Sequence, residues 1–460
     1  MGAGTVIGMP VPSVEDPEAD RRPPRRGAAF VLLDRAIDVE GGRATFSYDL
    51  DGDVFREELR FPPGGDAGDP FALRDLLDLC HVVIGTSYFK LRAPTRLVVT
   101  QPVSAALLEV CRQTYDQGLR ELAFTNGLEL PLATVIDADV RAGDDVAPSP
   151  PLTCGRPLVP VGGGKDSAAV LGLLPGATGI TVSATAVPRK LAAAAGVELL
   201  EVDRVIDQDL FRLTPSGFNG HIPITAINSA ISSLVAHLFG YDCVVMGNER
   251  SASEPTRVVG GVAVNHQYSK SFDYERALHD AIAPTGVNYF SLLRQLSELS
   301  IAGLVSGDLR LRGSFLSCNR AFVRSRDPEQ AQVWCLECPK CLFTFLCFAP
   351  FLTLAEAHEV FGGNPLADLD LDRTEGFRDL WRPDAKPFDC VGERMESAAA
   401  MTWLGRLPGW SDLPVVRALV ADASSTAAGL GADVESVLAV GGPHLIPPEL
   451  LALVTDAARR

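Results

Sequence analysis

PLVPVGGGKDSAAVLGLL, Pro157 to Leu174, decides the fold: an apolar run stops at three glycines, passes through Lys165, Asp166 and Ser167, and resumes as a second apolar run. A short strand that breaks at glycine and restarts with helical periodicity is the first half of a βαβ unit. GITVSAT (Gly179 to Thr185), a helical LAAAAG and the strand VELLEVD complete that unit. The class is therefore α/β, a parallel sheet with helices on both faces. At the turn, backbone N–H groups and a helix N-terminus converge, so Gly162, Gly163, Gly164, Lys165, Asp166 and Ser167 form a candidate phosphate loop. The glycines allow close backbone approach, Lys165 adds a cation, Asp166 caps the helix or holds Mg²⁺, and Ser167 donates to a phosphate oxygen. The plainer alternative is a glycine turn with an Asp cap. A Walker loop is excluded, because its lysine lies beside Ser or Thr after a longer glycine-bounded loop.

Downstream, the pattern predicts a helix at about Ile224 to Phe239, a strand from Cys243 to Met246 and the polar turn GNERSASE. Ligand groups in such sheets gather at the carboxyl ends of strands, where both polar turns fall, so Asn248 and Glu249 are candidate cofactor contacts, Glu249 for Mg²⁺ or substrate. Upstream, FVLLDRAIDV, ATFSYDL and VFREELRF alternate apolar and polar residues around Gly-Gly and Asp-Gly, which predicts two or three hairpin strands. Helical periodicity follows in Leu73 to Leu79 and in Ala105 to Gly118. The chain divides into a disordered tail (1–27), an N-terminal α+β domain (28–143), a PSPP-bearing linker (144–157), the core with a cysteine cluster (158–350) and a helical region (351–460).

With 460 residues the chain exceeds one ordinary core. Its net charge of −17 disfavours transfer RNA or DNA, whose phosphates need clustered Lys and Arg. Small anions stay compatible, since a few convergent cations in a cleft suffice. The N-terminal stretch lacks the apolar segment of a secretory signal, and Leu342 to Leu354 is too short to span a bilayer, so a cytoplasmic protein without membrane partners is expected. Ten cysteines in that setting read as thiols or metal ligands rather than disulfides. Cys80, Cys111, Cys154, Cys243 and Cys347 stand alone in apolar contexts and read as core residues. Cys335, Cys338 and Cys341 run C-x2-C-x2-C, with Cys318 upstream as a fourth thiolate, a spacing able to share one structural Zn²⁺.

The loop resembles the pyrophosphate loop (Ser-Gly-Gly-x-Asp-Ser) of the ATP pyrophosphatase superfamily, with Gly162 in place of the first Ser. NGHIPITAINSAISSLVAHLFGYDCVVMGNERSASE is similar to the helix, strand and substrate loop that follow in that superfamily. VNHQYSKSFDYE, SLLRQLSELSIA, CPKCLFTFLCFAPFL and KPFDCVGE resemble a narrower family, the UDP-N-acetylmuramoyl-L-alanyl-L-glutamate epimerases. GTSYFKLRAPT and ELAFTNGLEL extend the likeness to nearly Ala28 to Glu393. The cysteine arrangement is similar to the zinc site of the deazaguanine nitrile synthases of the same superfamily.

The resemblance implies a coherent reaction. The α-proton of a terminal glutamate is hard to remove while the carboxylate is ionised. Adenylation neutralises that charge, a base takes the proton, an acid returns one to the other face, and water releases AMP and the D-epimer. Candidate proton carriers are His221, His266, Lys270 and Cys390, beside Lys165 and Asp166 at the nucleotide. Arg250, Arg257 and Arg294 are candidates for UDP or glutamate oxygens, and the N-terminal domain for the UDP-sugar. The same adenylating core also suits nitrile or amide formation, as in deazaguanine nitrile synthases and NAD synthetases. A nucleotide-sensing regulator and a transfer-RNA-modifying enzyme are further readings, the last opposed by the acidic balance.

Overall fold

Leu158 and Val159 point to opposite faces of their strand, and each enters a different hydrophobic core. Alternation of this kind is what a strand buried on both sides must do, and it recurs at Val244 and Val245 and at Tyr289 and Phe290. The computed structural model describes residues 24–142, 154–320, 333–384 and 386–459. Residues 1–23 of the expected tail and 144–153 of the expected linker lie outside these.

Twelve strands are described: β1 Ala29–Asp38, β2 Arg43–Leu50, β3 Asp53–Arg60, β4 Arg96–Val103, β5 Val135–Val140, β6 Pro157–Pro160, β7 Thr178–Val182, β8 Leu199–Val205, β9 Cys243–Met246, β10 Arg257–Val259, β11 Val262–Val264 and β12 Asn288–Ser291. Ten of them form one sheet in the order β12-β9-β6-β7-β8-β3-β2-β1-β4-β5. The β12 to β8 portion is parallel throughout, as the βαβ rhythm requires. The predicted hairpins are β1 to β3, turning at Gly41-Gly42 and Asp51-Gly52.

The N-terminal region is not a sheet of its own, as the hairpins alone suggest. β3 adds antiparallel to the open edge of β8, pairing Leu59 with Arg204, and so satisfies backbone groups that an edge would leave exposed. A buried polar cluster accompanies this seam. The Arg204 guanidinium ion-pairs with the fully buried Glu57 and donates to Ser87 Oγ at 2.7 Å, while Tyr88 Oη donates to Glu57 at 2.8 Å.

One face of the sheet is covered by helices Pro70–Ile84, Ala105–Tyr115, Ile224–Phe239 and Phe272–Ile282, which pack on residues of both β1–β3 and β6–β9. The other carries helices Lys165–Leu173, Glu298–Gly307 and Pro339–Phe348, then the C-terminal helices Arg394–Leu404 and Pro414–Gly429. Among the described residues no helix is long and apolar enough to cross a membrane. One cysteine expectation is corrected: Cys154 and Cys243 form a disulfide, because the chain entering β6 runs alongside the start of β9 and brings their Cα atoms to 5.3 Å.

Candidate active site

β6 and β9 lie side by side and parallel, so the turns at their carboxyl ends meet. After β6 the chain passes through Gly162–Gly164 and enters helix Lys165–Leu173 directly, which aims the helix N-terminus at the loop. Gly163 has φ +88°, and a Cβ there would lie 2.6 Å from Val187 Cγ1, so no other residue fits. At Gly162 an added Cβ meets nothing within 4 Å, so that position has room for a side chain. After β9, Gly247 packs against the Asp166 backbone, where a Cβ would be 3.2 Å from its carbonyl carbon.

The two turns open on a cavity of 240 Å³ lined by Gly162, Gly164, Lys165, Asp166, Ser167, Asn248, Lys270, Glu298, Lys340 and Cys390. The Lys165 ammonium is buried and paired with both Asp166 and Glu298. Desolvation works against its charge, yet Asp166, Glu298 and Glu249 together hold it well above the usual lysine range. Glu298 is pushed up to about 8, chiefly by burial, with Glu249 and Asp166 adding to the shift and Lys165 opposing it. Asp166 is held low despite burial, by Lys165 and then Lys270. Ser167 Oγ donates to Gly164 O at 3.0 Å.

Glu249 is fully buried, and neither of its carboxylate oxygens has a hydrogen-bond partner; Asn248 Nδ2 beside it is equally unpartnered. A buried acid without donors is costly, and beside the glycine loop these oxygens could accept a divalent cation such as Mg²⁺. Arg294 fixes the backbone here. Its guanidinium pairs with Glu275 and donates to the carbonyls of Glu249 and Lys270, each at 2.6 Å.

That use corrects the expectation for Arg294: it is 2 % exposed, with its donors spent inside the protein rather than on substrate. Arg250 likewise donates to the carbonyls of Ala439 and Val437 and ties the C-terminal helices to the core. Arg257 lies over the rings of Phe388 and Phe124, at 5.4 and 6.0 Å, on the border of the Cys390 loop.

Lys270 and Cys390 line the cavity, whereas His221 and His266 do not. The two histidine rings lie against one another at a tilt of 44°, with centroids 4.3 Å apart, and His266 Nδ1 lies 2.5 Å from Glu121 Oε2. The sulfurs of Cys318, Cys335, Cys338 and Cys341 all lie within 4.8 Å of one another, with Cys335 and Cys341 3.6 Å apart. Four thiols at this separation fit a tetrahedral Zn²⁺. They brace the start of helix Pro339–Phe348, which carries Lys340 into the cavity.

Glu298, Lys340 and Glu121 were not singled out from sequence. Each sits inside a stretch that carried the resemblance or the cysteine spacing: SLLRQLSELSIA, CPKC and ELAFTNGLEL. A charged residue in an otherwise apolar motif was the available signal.

A glycine loop and helix N-terminus at the carboxyl edge of a parallel sheet, facing buried acids and lysines, give this mixed α/β fold a cleft lined by charged side chains. The family models described as the MurL N-terminal domain and the MurL C-terminal domain match residues 22–292 and 314–433. Proteins named UDP-N-acetyl-alpha-D-muramoyl-L-alanyl-L-glutamate epimerase are similar to the chain. The one from a Micromonospora species is 41% identical over 92% of this chain and 97% of its own length. Those from Salinispora tropica and Xanthomonas oryzae are 39% and 36% identical, over 95% and 92% of this chain and 98% and 96% of their own lengths. No solved structure matches. The chain belongs to the MurL family of epimerases.

Proposed function

We propose that the chain converts the terminal L-glutamate of UDP-MurNAc-L-Ala-L-Glu to D-glutamate in cytoplasmic peptidoglycan precursor synthesis, using ATP to form an acyl-adenylate. The names of its relatives support the substrate. What supports the chemistry is one observation: the glycine loop, with Lys165 and Asp166, and the side chains Lys270 and Cys390 open on the same cavity. Nucleotide and α-carbon chemistry would thereby share one space.

In this reading the Gly162–Gly164 backbone and the N-terminus of helix Lys165–Leu173 grip the outer phosphates, and Lys165 neutralises charge as pyrophosphate leaves. Glu249, with Asp166, would hold Mg²⁺, which when bound neutralises phosphate charge and orients the leaving group. The glutamate carboxylate attacks the α-phosphorus. The resulting neutral acyl group makes the α-proton removable, and hydrolysis after reprotonation releases AMP. The four-cysteine cluster would hold structural zinc away from this chemistry, and residues 28–143, sharing the sheet, supply surface for the UDP-sugar.

Incubation with ATP, Mg²⁺ and the UDP-dipeptide in D₂O tests the proposal. AMP, pyrophosphate, D-glutamate and deuterium at Cα are expected together. ADP as the sole nucleotide product overturns it, and an ammonia-dependent amide or nitrile would favour the alternative adenylating reaction.

A further inference from the structure

We propose that Cys390 is the side chain that exchanges the α-proton on one face of the activated glutamate, and that His266 and Glu121 are its positioning residues. This rests on the epimerase reading above and assigns one of its two proton carriers. Cys390 lines the nucleotide cavity, half-buried, with its sulfur hydrogen-bonded to His266. Behind it the imidazole is locked by Glu121, 2.5 Å from Nδ1 and only 8 % exposed. The loop itself is pinned: the Cys390 N–H donates to Asp389 Oδ1 at 2.9 Å, and the same oxygen accepts from Asn319 at 2.6 Å. Sulfur, imidazole and carboxylate in series are the arrangement that keeps a thiol ionised and aimed.

The charged surroundings agree with that geometry. Burial alone would raise the Cys390 thiol, but Lys270, Lys340 and His266 bring it down to about 6. His266, disfavoured as a cation by burial, is lifted to about 10 by Cys390 and Glu121. Its neighbour His221 is held neutral by burial, by His266 and Lys270, and by Lys90 behind. A thiolate–imidazolium pair therefore exists between about pH 6 and pH 10. Below that window the sulfur is protonated and cannot accept; above it His266 loses its proton.

The step balances within the protein. The Cα–H bond breaks, its proton goes to the Cys390 sulfur, and its electron pair delocalises into the adenylated carbonyl. A new Cα–H bond then forms with a proton from a second acid; Lys270 is the cavity ammonium that carries one. Proton return from the Cys390 thiol to the Lys270 amine resets both groups.

Two rates on the full-length enzyme test the assignment: substrate-dependent exchange of pyrophosphate into ATP, which reports adenylation alone, and wash-in of solvent deuterium at Cα. Cys390→Ala is expected to keep pyrophosphate exchange within about threefold while wash-in falls by about 10²- to 10⁴-fold. Glu121→Gln is expected to slow wash-in less, and to move the acid limb of its pH profile upward from about 6. Alkylation of Cys390 by iodoacetamide, followed on its peptide by mass spectrometry, should shift in parallel, a change that a merely structural Glu121 would not produce. Wash-in retained in Cys390→Ala overturns the proposal, as does loss of both rates in Cys390→Ala and Cys390→Ser alike. Absence of pyrophosphate exchange in the unaltered enzyme removes the adenylation reading, and the wash-in comparison still judges Cys390.

Discussion

Lys165→Ala removes the only cation paired with Glu298 among the described ion pairs, and leaves a carboxylate whose side chain is 4 % exposed facing Asp166 and Glu249. Breaking a buried pair from one side ordinarily costs about 3–5 kcal/mol. Glu298 has an escape, however. Burial already lifts its carboxyl to about 8, and without the opposing Lys165 charge it rises further. In the unfolded chain a glutamate titrates at roughly 4.3. Between those values the folded variant holds a proton that the unfolded chain has lost, so its stability falls as pH rises through this interval. At pH 6 the variant neutralises itself and should lose less than about 3 kcal/mol; at pH 9 it approaches the full buried-pair penalty. Urea midpoints at the two pH values measure the difference. Pyrophosphate exchange should fall by about 10²- to 10³-fold at either pH, the scale for losing one preorganised charge contact. Lys165→Ala with Glu298→Gln should recover most stability at pH 9 and none of the exchange, separating folding from chemistry. Equal stability deficits at pH 6 and pH 9, or exchange within threefold of the unaltered enzyme, would refute the reasoning.

Other outcomes follow from the same site. Glu249→Gln should raise the Mg²⁺ concentration for half-maximal exchange by at least about tenfold; unchanged Mg²⁺ dependence would remove Glu249 from the cation site. Cys335→Ser is expected to lower bound zinc, measured by plasma mass spectrometry, from about one per chain to well below that. Equal zinc in both proteins would mean that these thiols only pack. Gly163→Ala forces an L-residue to φ +88° against Val187 and should cost roughly 1–3 kcal/mol with a weakened KM for ATP; an unchanged thermal midpoint would show that the loop relaxes freely.

Much of this arrangement was legible in the residues themselves. Period-2 hydrophobicity placed β1 to β3, and the strand-glycine-helix order placed the glycine loop between β6 and helix Lys165–Leu173, because both are local consequences of backbone geometry. Helix Ile224–Phe239 and strand Cys243–Met246 fall where the pattern put them. The C-x2-C-x2-C spacing likewise brought three thiols together within one turn of chain, with Cys318 completing the group.

Tertiary structure decided what depends on groups distant in the chain. That β3 adds to β8 rather than closing its own sheet follows from an edge strand meeting another edge, and no period in either segment announces a partner some 145 residues away. Arg294 reads as an anion ligand in sequence because its charge is visible and Glu275 beside it in space is not. The reverse holds for Glu121, an ordinary helix glutamate until folding sets it against His266. Sequence supplied the loop and the list of reactive side chains. Only burial and proximity, which set each group's charge and aim, distinguish those that line the cavity from those that hold it together.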